Sequence, residues 1–378
     1  MFKKPKIYFF ISVFLVLLLI FSVAGFSGCG GTLSTGGDSA DENVLEAEST
    51  TRVITDFAGR THTVPKDIKK IFSTSPVAAI LTYTLAPKKL AGWNYELRPA
   101  EVKYILPELR DLPNLGGWQS KSTGNLEEIL KVNPDVIISM GDNQTETDIS
   151  FADKLQDQLG IPVIMVELPL LGMDAAYDFM GDLLGVQERA AELAAYYRDT
   201  LEDIQAKAAL IPDSNRIRVY YAEGPEGLQT EPDGSMHIQI LELVGGLNVA
   251  ADVEAGGSGG QSPVSLEQVL AWDPDVIICW NKNSGGAYEV ITTDSRWAEL
   301  KAVQNKQVYE IPSAPYNWFD RPPSVNRIIG FKWLGNLLYP DIYTYDIISE
   351  ARDFYKQFYH YDLTVEEAEE LLVNSLRK

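Results

Sequence analysis

Apolar positions along this chain fall into short runs separated by longer amphipathic stretches, and one such unit occurs twice. Residues 125–141 read NLEEILKVNPDVIISMG, and residues 265–281 read SLEQVLAWDPDVIICWN. In each copy a Glu lies near a helix start, a Pro-Asp step breaks the helical spacing, and the unbroken apolar run that follows predicts a strand covered on both faces. Gly116-Gly117 and Ser122 precede the first copy at the offset at which Gly256-Gly257 and Ser262 precede the second. The separation of 140 positions is too long for a solenoid repeat. It predicts two similar lobes built around a cleft.

The pattern between and around the copies extends this picture. Residues 51–65, TRVITDFAGRTHTVP, alternate about Ala58-Gly59 and predict a hairpin. His62 lies on its second arm with no other His nearby, which argues against a metal site. From Lys70 onward, residues 71–72, 90–93, 136–140 and 163–166 predict strands alternating with helices, the pattern of βαβ units and a parallel sheet. A long helical stretch from Ala175 is interrupted only at Gly185. In its second part Val186, Ala190, Leu193, Tyr197, Leu201, Ile204 and Ala208 recur at spacings of three and four. A run of about 25 residues is roughly 37 Å long, enough for a strut between lobes, and Pro212 ends it. Residues 217–222, 276–280 and 308–311 predict the strands of a second lobe, with closing helices over 324–338 and 346–375.

The expected fold class is therefore α/β, with two Rossmann-like lobes, central parallel sheets and one long rigid connecting α-helix. The expected divisions are a leader (1–28), a tether (29–50), an N-terminal lobe (51–168), a helical segment with the strut (169–212), a C-terminal lobe (213–345) and C-terminal helices (346–378). About 330 residues after the tether suffice for two ordinary cores.

The N-terminus sets the compartment. Lys3, Lys4 and Lys6 precede an apolar run over 7–26, then Ser27, Gly28 and Cys29, the pattern of an export signal. Cys directly after Ser-Gly resembles a bacterial lipobox, in which that Cys becomes the lipidated first residue; Phe26 stands where Leu is usual. The run is also long enough for a retained membrane anchor. The lipoprotein is preferred because Cys29 is one of two cysteines and sits where acylation needs it. Residues 30–50 are Gly, Ser, Thr and acid and predict a flexible tether. The other cysteine, Cys279, falls in an apolar strand run and is expected to be a small buried hydrophobe.

The net charge of −21 becomes more negative once the leader's lysines are removed. It argues against nucleic acid or anionic lipid as partners of the protein surface and favours a basic partner.

The hairpin DFAGRTHTVP, the segments NLEEILKVNPDVII and SLEQVLAWDPDVII, the strut, and QVYEIP in the second lobe together resemble the substrate-binding proteins of ABC importers for iron-siderophores, haem and vitamin B12. The resemblance covers about Arg52 to Tyr339. It implies two α/β lobes hinged by a single helix, a ligand in the cleft, a location on the extracytoplasmic face or in the periplasm, and a monomer working with a permease dimer. It also implies that Glu127 and Glu267, one per repeat, dock into basic pockets of that dimer. The physics agrees, because a first-turn carboxylate is favoured by the helix dipole and a matched pair can steer an acidic protein to a two-fold-related basic partner. Helix stabilisation alone would also account for each Glu.

Enzymatic readings fare worse. A glycosidase acid and nucleophile need different environments within about 10 Å, which near-identical contexts on separate lobes do not offer. Three His residues leave little general-base capacity, and no Ser-His-Asp spacing or phosphate loop occurs. No cofactor is expected, and no metal ligands are assigned.

Ligand contacts are expected at the C-terminal ends of the strands. Those loops hold Ser73, Thr74 and Ser75 before Pro76 as a cradle of backbone N–H groups, Asp142 and Asn143, and the aromatics Trp93, Tyr95, Trp118, Tyr221, Tyr316 and Trp318, which suit a large or flat ligand. Arg321 could grip a carboxylate or oxyanion with its fork, or pair with Asp320. The expected cargo is an iron chelate (siderophore or haem, with Tyr95 or Tyr221 as an axial ligand) or a corrinoid. The stretches PYNWFDRPPS and ARDFYKQFYHYDLTVEEAEELL look like a subgroup that includes molybdate and tungstate binders, which keeps an oxyanion open. A surface-anchored enzyme or a partner-binding lipoprotein on the same fold is the class-level alternative.

Overall fold

In the computed structural model the described residues are 49–118, 123–141, 145–256 and 260–377, and the unit running from Ser49 is compact. It opens with the hairpin β1 (Thr51–Thr55) and β2 (Thr61–Pro65), paired antiparallel from Thr51 opposite Pro65 to Thr55 opposite Thr61. Asp56 pins its turn. Its carboxylate accepts from the Ala58 and Arg60 N–H groups, from the Met165 N–H in the first lobe, and from the Arg60 guanidinium. Burial alone would raise this carboxyl, but the backbone donors Met165 and Arg60 hold it below the usual range. His62 contacts Asp56 at 3.0 Å and is buried.

The first lobe is a parallel sheet in the order β3 (Ile71–Ser73), β4 (Val136–Gly141), β5 (Val163–Glu167). The strand expected over 90–93 is reduced to isolated bridges, Leu90 with Ile71 of β3 and Trp93 with Asn114 in a loop. Helix α1 (Pro76–Leu85) follows β3, and α2 (Leu126–Val132) precedes β4.

Two helices lead out of this lobe, α3 (Met173–Leu184) and α4 (Gln187–Ala208), separated where Gly185 adopts φ 68°. The 22 residues of α4 span about 33 Å. The strut is a few residues shorter than its apolar spacing suggested. Ala190, Leu193, Ala194, Tyr197, Thr200 and Ile204 form its buried face.

The second lobe contributes β6 (Arg218–Ala222), the short β7 (Gln229–Thr230), β8 (Leu247–Asn248), β9 (Ser262–Pro263), β10 (Val276–Cys279) and β11 (Val308–Glu310). Its main sheet is parallel in the order β11-β10-β6-β8, and β7 and β9 form a separate antiparallel pair. Helix α5 (Leu266–Trp272) precedes β10 as α2 precedes β4. Cys279 is fully buried and its thiol is pushed well above its ordinary range, by burial first and then by Glu310.

The repeated sentence is repeated in structure. Asn125 caps α2 by accepting from the Glu128 N–H, and Ser265 caps α5 by accepting from the Gln268 N–H. Both helices end in a left-handed residue, Asn133 at φ 52° and Asp273 at φ 41°, the residue types other than Gly that tolerate it best. The Asp after each Pro then splices the central strand to its neighbour. Asp135 accepts from the N–H groups of Lys69 and Lys70, and Asp275 from the N–H of Arg218.

The strut α4 is not the only element that joins the lobes. After α6 (Arg327–Leu338), α7 (Ile347–Phe358) and α8 (Val365–Leu371) run back across the molecule. On the first lobe, Tyr83 donates to the Tyr359 carbonyl at 3.0 Å, Tyr104 meets Tyr355 and Tyr361 edge-on, and Lys103 pairs with Glu367. On the second lobe, Tyr355 donates to the Ala314 carbonyl, Ser375 to the Glu310 carbonyl and Trp333 to the Ser375 carbonyl. One continuous apolar core consequently includes residues of both lobes, the strut and these helices. No helix among the described residues is long and apolar enough to cross a membrane.

Candidate functional site

Where the lobes face each other lies a cavity of about 270 Å³, lined by Arg98, Pro99, Ala100 and Glu101 from the first and by Asn283, Ser284 and Ser313 from the second. On the first-lobe side Glu101 is 1% exposed and organises the wall. One of its oxygens accepts from the Arg98 N–H at 2.7 Å; the other accepts from Arg98 Nε at 2.8 Å and from the Tyr95 hydroxyl at 3.2 Å. Arg98 Nη2 also falls on that second oxygen, so the guanidinium plane is fixed while 47% of the side chain stays exposed. On the facing side Asn281 accepts from the Asn283 N–H and turns the chain after β10, which brings the Ser284 and Ser313 hydroxyl oxygens to 3.0 Å. Ser324 donates to the Val77 carbonyl at 2.9 Å and ties the second lobe to the first turn of α1.

A second polar feature lies inside the second lobe. Arg321 Nε donates to Glu223 at 2.7 Å and Nη2 to Glu231 at 2.6 Å; Asp320 is 3.3 Å away, and the guanidinium sits 5.6 Å from the Trp280 ring. His237 Nδ1 contacts Asp320 at 2.5 Å. Gly260, at φ 66°, passes so close that a Cβ there would lie 2.1 Å from the Glu231 carboxylate. Only glycine fits.

Burial pushes the Glu223 carboxyl up to about 7, against the pull of Arg321. A native carboxyl that titrates above its unfolded value of 4.5 binds more protons when folded, so its contribution to stability falls as pH rises from about 5 to 8. Glu223→Gln is expected to remove that slope. The chemical-denaturation stability of the variant should gain on wild type by up to about 3 kcal/mol between these pH values; parallel profiles would contradict the assignment.

Of the side chains read from sequence as ligand contacts, several are instead core. Trp93 donates to the Leu109 carbonyl and packs against Tyr83; Tyr221 lies within β6, fully enclosed, accepting from Trp280 Nε1 and meeting Phe319; Trp318 is enclosed beside Tyr355. Their places at or near the ends of apolar strand runs made these rings read as loop residues. Trp118 is half-buried against Phe72 and Phe151. Tyr95 reaches the cavity wall through Glu101. Tyr316 is buried with no hydrogen-bond partner for its hydroxyl among the described residues, and burial, with Tyr95 and Glu101 nearby, pushes that hydroxyl well above its ordinary range. Arg321 turns to acids of its own lobe. Ser73 ends β3 and Ser75 directly precedes α1, where it makes no side-chain cap bond.

Glu127 and Glu267 occupy the same second position of α2 and α5, both exposed. Cys29, Asp142 and Asn143 lie outside the described residues. Among the described residues no group of three or more His, Cys, Asp or Glu is arranged to hold a metal ion. Sequence reasoning missed Arg98, Glu101, Ser284 and Ser313; Arg98 directly before Pro99, with Glu101 three positions on, was the available signal.

A family model described as periplasmic binding protein matches residues 99–315. The molybdate-binding protein MolA of Haemophilus influenzae is 26% identical over 82% of this chain and 91% of its own. The vitamin B12-binding protein of Vibrio cholerae is also 26% identical, over 68% of this chain and 85% of its own. Among solved structures, an ABC transporter solute binding protein from Sulfurospirillum deleyianum superposes with a TM-score of 0.78 at 33% identity, covering 85% of this chain and 99% of that one. A sheet pair spliced by the same Pro-Asp device, a cavity between the lobes, and matches of this breadth lead to one conclusion: the chain belongs to the periplasmic binding protein family and is a substrate-binding protein of an ABC transporter.

Proposed function

We propose that the protein is a lipid-anchored receptor on the extracytoplasmic face that holds its cargo between the lobes and hands it to an ABC importer through Glu127 and Glu267. The observation that carries this reading is the matched placement of the two carboxylates. Each is exposed in the first turn of the helix that feeds the central strand of its lobe, so each has a place fixed by that lobe's sheet. Neither lines the cavity, which leaves both for a partner while cargo is bound. A pair of exposed carboxylates on an acidic protein suits basic pockets on two related membrane subunits.

The anchor rests on Cys29 after its Ser-Gly step and on the charged and apolar leader before it. Relatives of this chain carry names for two cargo chemistries, molybdate and vitamin B12. The metal-chelate reading of the sequence and the oxyanion reading therefore both enter the test.

Expressed with its leader, the wild-type protein is expected to incorporate labelled fatty acid and Cys29→Ala to incorporate none. The purified protein should bind one of cobalamin, haemin, a ferric siderophore or molybdate, and return it chemically unchanged. Conversion of any of them would instead favour an enzyme on this fold.

A further inference from the structure

We propose that the interlobe cavity is a site for a small tetrahedral oxyanion, received by Arg98 from the first lobe and by the Ser284–Ser313 hydroxyl pair from the second. This rests on the receptor reading and names the cargo class of that site.

The fixed guanidinium is the first argument, since Glu101 beside it offsets its formal charge. Glu101 also lines the cavity, but its two oxygens already accept from the Arg98 backbone and guanidinium and from Tyr95. It acts as a brace. With Nε and Nη2 both held on one Glu101 oxygen and the Tyr95 hydroxyl beside the guanidinium, Nη1 is the guanidinium nitrogen that Glu101 does not hold and is the group offered to a ligand. A guanidinium whose plane is fixed in this way presents its remaining N–H groups to an oxyanion with little further ordering. The other arginine of the facing loops, Arg321, is engaged by Glu223 and Glu231.

The hydroxyl pair supplies the opposite side. Two serine oxygens 3.0 Å apart share one hydrogen bond, so one O–H of the pair is left to donate outward. Asn283, exposed on the same wall, adds an amide. Arg98 cannot complete this set alone, because the hydroxyls belong to the other lobe. The crossings between lobes hold the halves in place, so the site is largely formed before ligand arrives, which lowers the ordering cost of binding.

Size and lining favour a small cargo over a large one. The volume of about 270 Å³ lies below the range of roughly 300–1,000 Å³ for drug-sized ligands. No aromatic ring lines it, whereas a porphyrin or corrin needs flat apolar walls. Trp93, Tyr221, Tyr316 and Trp318 are closed into the cores.

The test is isothermal titration of the mature protein with molybdate, tungstate, sulfate and phosphate, alongside cyanocobalamin and haemin. One or more of the oxyanions should bind with a stoichiometry of one. Arg98→Gln should weaken it by at least about tenfold, with Arg98→Lys between the two. Ser313→Ala, which leaves the Arg98–Glu101 brace intact, should weaken it several-fold and so tests the site even if Arg98→Gln fails to fold. Oxyanion affinity unchanged in Arg98→Lys and Ser313→Ala overturns the site. So does failure of every oxyanion to bind at millimolar concentration. If cyanocobalamin or haemin binds instead, the oxyanion site falls and the receptor reading stands; if the loaded protein, whatever its cargo, does not stimulate the permease, the receptor reading falls.

Discussion

Alanine at both Glu127 and Glu267 is expected to abolish ATP-driven uptake while leaving cargo affinity and melting temperature unchanged. Each carboxylate is exposed on a short helix already capped by Asn125 or Ser265, so its contribution to folding is confined to a dipole interaction of a few tenths of a kcal/mol. In a docked complex the same group would be desolvated against a basic partner. Removing one member of such a pair costs about 2 kcal/mol or more, or roughly 30-fold in affinity. Loss of both should bring permease affinity down by about three orders of magnitude, and each single variant should fall between. Glu128 is the internal control. It neighbours Glu127 but pairs with Lys131 on its own helix, so Glu128→Ala should leave permease stimulation intact. Surface plasmon resonance against the reconstituted permease separates these outcomes, and equal binding by the double variant would remove the docking assignment.

Phe354→Ala is expected to destabilise the protein by about 3–5 kcal/mol, a large part of the roughly 5–15 kcal/mol that holds a domain folded. Phe354 is fully buried in α7, stacked on Phe358 with centroids 4.4 Å apart and set edge-on to Tyr359 at 5.2 Å. Phe358 in turn meets Tyr196 of the strut at 5.3 Å. The cavity left by truncation would open at the junction of strut, first lobe and returning helices, where relaxation of one element is opposed by the others. Urea denaturation gives the loss directly. Because α7 helps to hold the two halves of the cavity in register, cargo affinity should fall as well, although Phe354 is not among the cavity-lining residues. A stability loss below 1 kcal/mol would mean that the returning helices are an appendage rather than a second joint.

Much of this frame is legible in the chain. The doubled segment identifies both central strands, and its Pro-Asp step, which reads as a simple break, proves to be the splice made by Asp135 and Asp275. The hairpin, the strut and the helix stop at Gly185 follow from local pattern. The second joint between the lobes does not. Ile347, Ala351, Phe354, Tyr355 and Phe358 lie on one apolar face, which says that α7 is covered but not that its cover comes from both lobes. The candidate site is similarly hidden, since Arg98 shares a cavity with Ser284 and Ser313 only because the two lobes face each other. Arg321 illustrates the converse. Its neighbour Asp320 is visible in sequence, but the acids that hold it, Glu223 and Glu231, stand 98 and 90 positions away. The rings of Trp93, Tyr221 and Trp318 misled for a related reason, because position near a strand end does not say which side of the loop is wet.

The central claim is that this chain carries its cargo to a membrane transporter and does not transform it. The most direct measurement is uptake by proteoliposomes containing the permease, supplied with ATP and with receptor preloaded with isotopically labelled cargo. Label should accumulate inside in unaltered form with wild-type receptor and remain outside with the Glu127→Ala, Glu267→Ala double variant. Equal accumulation with both receptors, or recovery of the cargo outside in chemically altered form, would contradict the account.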